Sequence, residues 1–209
     1  MQIPLRIATY AGAALIGLLG WNLAAHVFIG HTLNSPSAKA EGDYFKMERE
    51  AQAKYAGPGT PTAAAMSRYA GEQAKQMLAA AAPGKERTFT AAQIFIGFYL
   101  TNAKARIDYC RERQVDLSGF ASAFANLHRL QYERAAALFE ANGTSVDDTW
   151  STVRAALMHG VDTDMGVIAG LGVPMAKACQ EIARRPRYFA DQLNFAKRQP
   201  EIQRALMGG

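Results

Sequence analysis

The run IATYAGAALIGLLGWNLAAHVFI, from Ile7 to Ile29, carries no charged residue, and none occurs anywhere between Arg6 and Lys39. A helix needs about 20 predominantly apolar residues to cross the hydrocarbon core of a bilayer, so this run is long enough to span. The rest of the chain is then expected on one side of a membrane, attached to it. The competing assignment is a cleaved secretory signal, because Arg6 makes a short basic start and Ala38-Lys39-Ala40 has the small-x-small form of a cleavage site. A signal's apolar region is about 7–15 residues long with its cleavage site close behind. Here the run is longer and the site lies roughly ten residues beyond it, so a retained anchor is expected.

Within the run, Ala13, Gly17, Gly20 and Ala24 recur at spacings of four, three and four. In a helix that spacing keeps them on one narrow face, and a seam of small residues lets a second transmembrane helix approach closely. The seam is therefore the expected helix-packing interface. Asn22 and His26 lie one turn apart on another face, and polar groups in lipid are costly unless a helix, headgroup or water satisfies them. They are candidates for an intramembrane polar contact, with Trp21 as an interfacial aromatic.

The chain beyond this run is long enough for one domain with a real core. It is rich in Ala, the best helix former, and lacks alternating β-branched runs. The expected fold is all-α: a single N-terminal transmembrane helix followed by a helical bundle of about five to seven helices. Residues 1–36 form the anchor and linker, residues 37–60 a juxtamembrane helix ending in the hinge Gly57-Pro-Gly-Thr-Pro61, and residues 61–209 the helical domain.

In chain order, the spacing predicts a helix restarting near Gly42, with Tyr44, Met47 and Ala51 on one side. A second runs from Ala63 to Ala82, and a core helix from a Thr90 cap to Arg113 with Ile96, Leu100, Ala103, Ile107 and Cys110 as its seam. Phe95, Phe98 and Tyr99 widen that helix's apolar surface, so this part is expected either to be buried on most sides or to meet a second body, and the three are read as a possible partner surface. The next helix opens at Asp116 or Ser118 and ends at Asn142-Gly143, with Phe120, Phe124, Leu127, Ala135 and Leu138 inward and His128 beside them. Ser145, Asp147 and Asp148 start another, buried through Val146, Trp150, Val153 and Leu157 and stopped at Gly160. A short helix capped by Asp162 or Thr163 then ends at Gly172. Further pieces cover Met175–Arg185, Tyr188–Arg198 and Pro200–Met207.

The net charge of +5 is concentrated near the C-terminus, where seven basic residues from Lys177 to Arg204 stand against three acidic ones. Such a face suits anionic headgroups or an acidic partner; no motif points to nucleic acid. The two cysteines, Cys110 and Cys179, lie on apolar helical faces, and an oxidising compartment allows them to join. With the amino terminus inside by default, the expected address is the inner membrane of a bacterium, with the bulk of the chain in the periplasm.

Chemistry-bearing constellations are sparse. There is no Cys-x-x-Cys, and the four histidines, at 26, 31, 128 and 159, form no His-x-x-x-His or Glu-x-x-His pair. His159 with Asp162 and Asp164 is the nearest approach to a ligand cluster, and the two aspartates also suit a helix cap. Asp108 and Glu112, interleaved with Arg106, Arg111 and Arg113, read as a solvated ion-pair face. Neither a cofactor nor a catalytic residue is expected. The resulting expectation is a non-enzymatic, membrane-anchored subunit or scaffold whose partners are other membrane protein subunits and the lipid bilayer. The alternative is a secreted periplasmic ligand-binding protein or chaperone with a cleaved signal.

Overall fold

A computed structural model describes residues 37–57, 60, 62–170 and 175–208. The described residues are all helical apart from turns. The Ile7–Ile29 run, its Ala13, Gly17, Gly20, Ala24 seam, Asn22 and His26 lie outside them. Among the described residues no helix is long and apolar enough to cross a membrane.

Helix α1 (Ser37–Tyr55) begins several residues earlier than Gly42 and packs against α2 (Thr62–Ala80) and α7 (Val146–Gly170). Its seam is Ala40, Tyr44, Met47 and Ala51, all buried. The four-three-four spacing is that of a helix packed in a bundle. The segment expected as a juxtamembrane helix thus contributes to the same core as the helices after residue 61. Two polar bridges reinforce the α1–α2 pair. Lys54 Nζ donates to Glu72 Oε2 at 2.7 Å and Tyr69 Oη to Glu50 Oε2 at 2.6 Å.

Helix α3 (Lys85–Leu100) starts at the Pro83-Gly84 turn rather than at Thr90. Gly84 has φ +86°, open to glycine at little cost, and this reverses the chain directly into the helix. Residues Thr101–Ala105 then form a π turn that leads without a break into α4 (Arg106–Glu112). Its signature is the Arg106 N–H bonded to Thr101 O, an i→i−5 bond. The wider turn alters the expected seam. Buried positions become Thr101 and Asn102, Ala105 and Arg106, Tyr109 and Cys110, while Ala103 and Ile107 are only half-buried. More residues per turn keep positions four apart stacked, where an uninterrupted α-helix alternates four with three.

The helix expected from Ser118 to Asn142 is two: α5 (Ser118–Leu127) and α6 (Arg129–Ala141), divided at His128. Helix α7 opens as the sequence predicts, with Ser145 Oγ accepting from Asp148 N–H at 3.0 Å. It does not stop at Gly160. A mid-helix glycine costs about 1 kcal/mol relative to alanine, a loss offset here by burial of Leu157, Val161 and Met165 along the inner face. Asp162 and Thr163 are therefore helix-interior residues, not caps.

The C-terminal part is broken into α8 (Met175–Arg184), α9 (Pro186–Gln192), α10 (Phe195–Arg198) and α11 (Pro200–Met207). Pro186 and Pro200 each take a first-turn position, where the missing N–H costs nothing. Asn194 caps α10 by accepting from Lys197 N–H at 3.1 Å. The helical segments outnumber the expected five to seven because of these short pieces and the break at His128.

Phe95 and Phe98 are fully buried in the core, the first of the two expected outcomes, and Tyr99 is half-buried at its edge. Helix α3 is covered by α6 and α11. Phe95 and Phe98 lie 5.0 and 5.3 Å from Phe195, ring centre to ring centre, and Tyr99 lies 4.5 Å from Tyr132. Cys110 and Cys179 are joined to each other, with Cα atoms 5.6 Å apart, and tie α8 to α4.

Candidate functional site

The densest polar assembly among the described residues lies where α1, the π turn with α4, and α7 meet. Arg106 is at its centre and is fully buried. Its Nη2 donates to Asp164 Oδ2 at 2.5 Å, its Nε to Asn102 Oδ1 at 3.3 Å, and its Nη1 to the thioether of Met165 at 3.4 Å. Asn102 in turn donates to Phe98 O at 2.9 Å. The π turn explains how a guanidinium reaches the interior, since it turns residues 105 and 106 toward α7 in place of Ala103 and Ile107.

Burial pushes the Asp164 carboxyl above the ordinary carboxylate value, and the Arg106 cation acts in the opposite sense. Asp164 Oδ1 is buried and has no hydrogen-bond partner among the described residues. A charge pair removed from water recovers its desolvation cost only with good geometry and satisfied lone pairs. Breaking the pair at one partner would strand a buried charge, whereas replacing both by apolar side chains removes the desolvation cost along with the attraction.

Two further contacts flank the pair. Toward α4, Tyr109 Oη donates to Asp162 Oδ1 at 2.9 Å, and the Arg113 guanidinium stacks 3.4 Å from the Tyr109 ring centre. Toward α1, Tyr44 Oη lies 2.8 Å from Thr163 Oγ1, and His159 Nε2 lies 3.0 Å from Glu41 Oε1. Phe45, 40% exposed, rests 5.1 Å from the His159 ring centre. Burial pushes the Tyr44 phenol up to about 12, and Tyr109 is raised by burial and by its bond to Asp162. Both phenols stay protonated near neutral pH and serve as donors, not bases.

His159, Asp162 and Asp164 thus address three different partners: Glu41, Tyr109 and Arg106. Among the described residues no group of three or more His, Cys, Asp or Glu side chains gathers as a metal site would need. Asp108, expected on a solvated face with Glu112, pairs with Arg111 at 2.6 Å and reaches Arg154 of α7 at 3.5 Å. The assembly is a set of helix fasteners built from mutually engaged groups. Sequence reasoning missed Arg106 and Asp164 as a pair, and the available signal was slight: each stands among other charged and polar residues, Lys104 and Asp108 beside the one, Asp162 and Thr163 beside the other.

A second buried polar group is His128, at the α5–α6 break. Its Nδ1 lies 2.9 Å from Phe124 O, and its Nε2 accepts the N–H of Phe195 at 3.1 Å. Those two contacts assign the neutral tautomer with the proton on Nδ1. The ring is enclosed by Phe124, Phe98 and Phe95 at 4.2, 5.4 and 6.3 Å between ring centres. Burial holds His128 down at about 4, outweighing the carbonyls of Phe124 and Leu193, which favour the charged form.

A groove of about 370 Å³ opens at the α4–α5 turn, lined by Ile107, Arg111 and residues 114–118. No protein-family model, curated protein or solved structure matches the chain.

Proposed function

We propose that this protein is a non-enzymatic, membrane-anchored subunit or scaffold of a bacterial envelope complex, held in the inner membrane by Ile7–Ile29 and presenting a helical domain to the periplasm. One observation carries the choice of a retained anchor over a removed signal. The small-x-small sequence Ala38-Lys39-Ala40 lies inside α1, Ala40 is 0% exposed in the core, and Glu41 bonds across to His159. Cleavage after Ala40 would remove the first turn of a helix that the domain uses for packing. The observation weighs against Ala40 as the cleavage point, and with it against the small-x-small site that favours a removed signal.

The Cys110–Cys179 bond supports an oxidising address, because disulfides persist outside the reducing cytosol. In this reading the partners are other membrane protein subunits, gripped through Ala13, Gly17, Gly20 and Ala24, with Asn22 and His26 available for polar contacts in the bilayer.

The test is purification from native membranes in mild detergent, comparing the parent chain with a Gly17→Leu/Gly20→Leu variant. Loss of co-purifying membrane proteins from the variant is the expected result. An unchanged set of partners, or an intact mass showing a mature chain that starts at Glu41, overturns the proposal.

A further inference from the structure

The positive charge of the C-terminal part takes a specific shape at the junction of α8 and α9. There Arg184, Arg185 and Arg187 surround Pro186 and Tyr188. Pro186 fixes the bend and lies against α5, 3.6 Å from where a side chain on Gly119 would begin. Phe189 and Ala190 are buried and anchor α9. The bend is thus held on both sides, and what it turns outward is charged and aromatic.

Glu181 is shared between two guanidiniums, Arg184 at 2.9 Å and Arg185 at 3.2 Å. One carboxylate cannot neutralise both. Arg187 is exposed and has no ion pair among the described residues. The Arg184 side chain is 75% exposed. Tyr188 is 40% exposed, and the Arg185 guanidinium lies 5.3 Å from its centre. An exposed tyrosine among arginines combines the two features that suit a bilayer surface. Guanidinium forks match phosphate oxygens in paired hydrogen bonds, and tyrosine prefers the headgroup level, where its ring and hydroxyl find different surroundings.

We infer that the α8–α9 elbow is a docking surface for anionic phospholipid headgroups, bringing the domain down onto the membrane that carries its anchor. The inference rests on the membrane-anchored reading, because a tether turns a weak surface contact into an intramolecular one at high effective concentration. Basic residues near a charged bilayer each contribute modestly and fade within a Debye length. Three of them on a fixed bend therefore need that proximity.

Intrinsic fluorescence tests it. The chain has two tryptophans, Trp21 and Trp150. In a Trp150→Phe background the full chain, reconstituted into vesicles with brominated acyl chains, reports Trp21 alone; adding Tyr188→Trp reports the elbow by difference. The vesicles are phosphatidylcholine alone, or phosphatidylcholine with about a quarter phosphatidylglycerol. The expected result is quenching at position 188 about twofold greater in the anionic vesicles, abolished by Arg184→Gln/Arg187→Gln and by about 0.5 M salt. Equal quenching in both compositions, none in either, or quenching that survives loss of the arginines overturns the docking surface. Trp21 answers separately: if it is unquenched everywhere, the anchor fails, whatever position 188 reports.

Discussion

His128 accepts the backbone N–H of Phe195 across 67 positions of sequence, at 3.1 Å, through a ring nitrogen that must be unprotonated to do so. The contact joins the α5–α6 break to the first turn of α10, and aromatic rings enclose it. Folding thus lowers the histidine from its ordinary 6.5 to about 4. A group held down in the native state contributes stability that is fully present above the unfolded value and is lost as pH falls toward the folded one. Stability should decline between pH 6.5 and 4, by about 3 kcal/mol from this group if the whole shift is realised. Urea unfolding across that range measures it, and His128→Gln should flatten that part of the profile.

The buried pair gives an asymmetric expectation. Asp164→Ala leaves the Arg106 cation enclosed without its carboxylate and should cost about 3–5 kcal/mol. Replacing both, as Arg106→Met/Asp164→Leu, removes the desolvation penalty together with the attraction, and such exchanges are often neutral or stabilising by about 1–4 kcal/mol. Denaturant midpoints of the two variants settle the point. A double variant as unstable as the single one would mean that the pair contributes large net stability.

The Cys110–Cys179 bond closes a loop spanning 69 positions. On the chain-entropy account a loop of that length is worth about 4 kcal/mol. Reduction, or Cys110→Ala/Cys179→Ala, should therefore lower the unfolding midpoint substantially. Hydrogen exchange should locate the largest local loss of protection in α8, the helix that the bond holds to α4.

Gln114 offers a stabilising change. It ends α4 with φ 61°, in the left-handed region, while Val115 N–H reaches back to Cys110 O at 3.0 Å. Gly143 performs the same service after α6 with φ +76°, where Thr144 N–H bonds to Phe139 O at 3.2 Å. Left-handed backbone costs a side-chain-bearing residue about 1–2 kcal/mol. Gln114→Gly should accordingly raise stability by about 1 kcal/mol, and Gly143→Ala should lower it by a similar amount, both measured by thermal or urea unfolding.

Features written in short-range chemistry were legible in the sequence. Ser145 with Asp148, Pro186, Pro200 and the Asn142-Gly143 stop act through bonds within one turn, and each marks a boundary close to where periodicity places it. The buried faces of Phe120, Phe124 and Val153 follow from spacing alone. The failures lie where a partner distant in sequence outweighs local preference. Gly160 looks like a stop because its own propensity is poor, yet α1 and α4 supply packing that carries α7 through it. For Phe95 and Phe98 spacing left burial and partner contact equally open, because Phe195, which covers them, arrives a hundred residues later. Arg106 looks solvated because charge usually is, and only the π turn and Asp164 make an interior place for it. Of the proposed membrane contacts, Ala13, Gly17, Gly20, Ala24, Asn22 and His26 stand on spacing and composition.

The four core residues of α1 begin at Ala40, three positions into the helix. A pull applied at Ser37 is separated from them by less than one helical turn. Tension would enter along the helix axis, load the Tyr44–Thr163 and Glu41–His159 bonds sideways, and pass through α7 to Arg106. The Tyr44–Thr163 and Glu41–His159 contacts are thus the ones that an axial pull on α1 would test first.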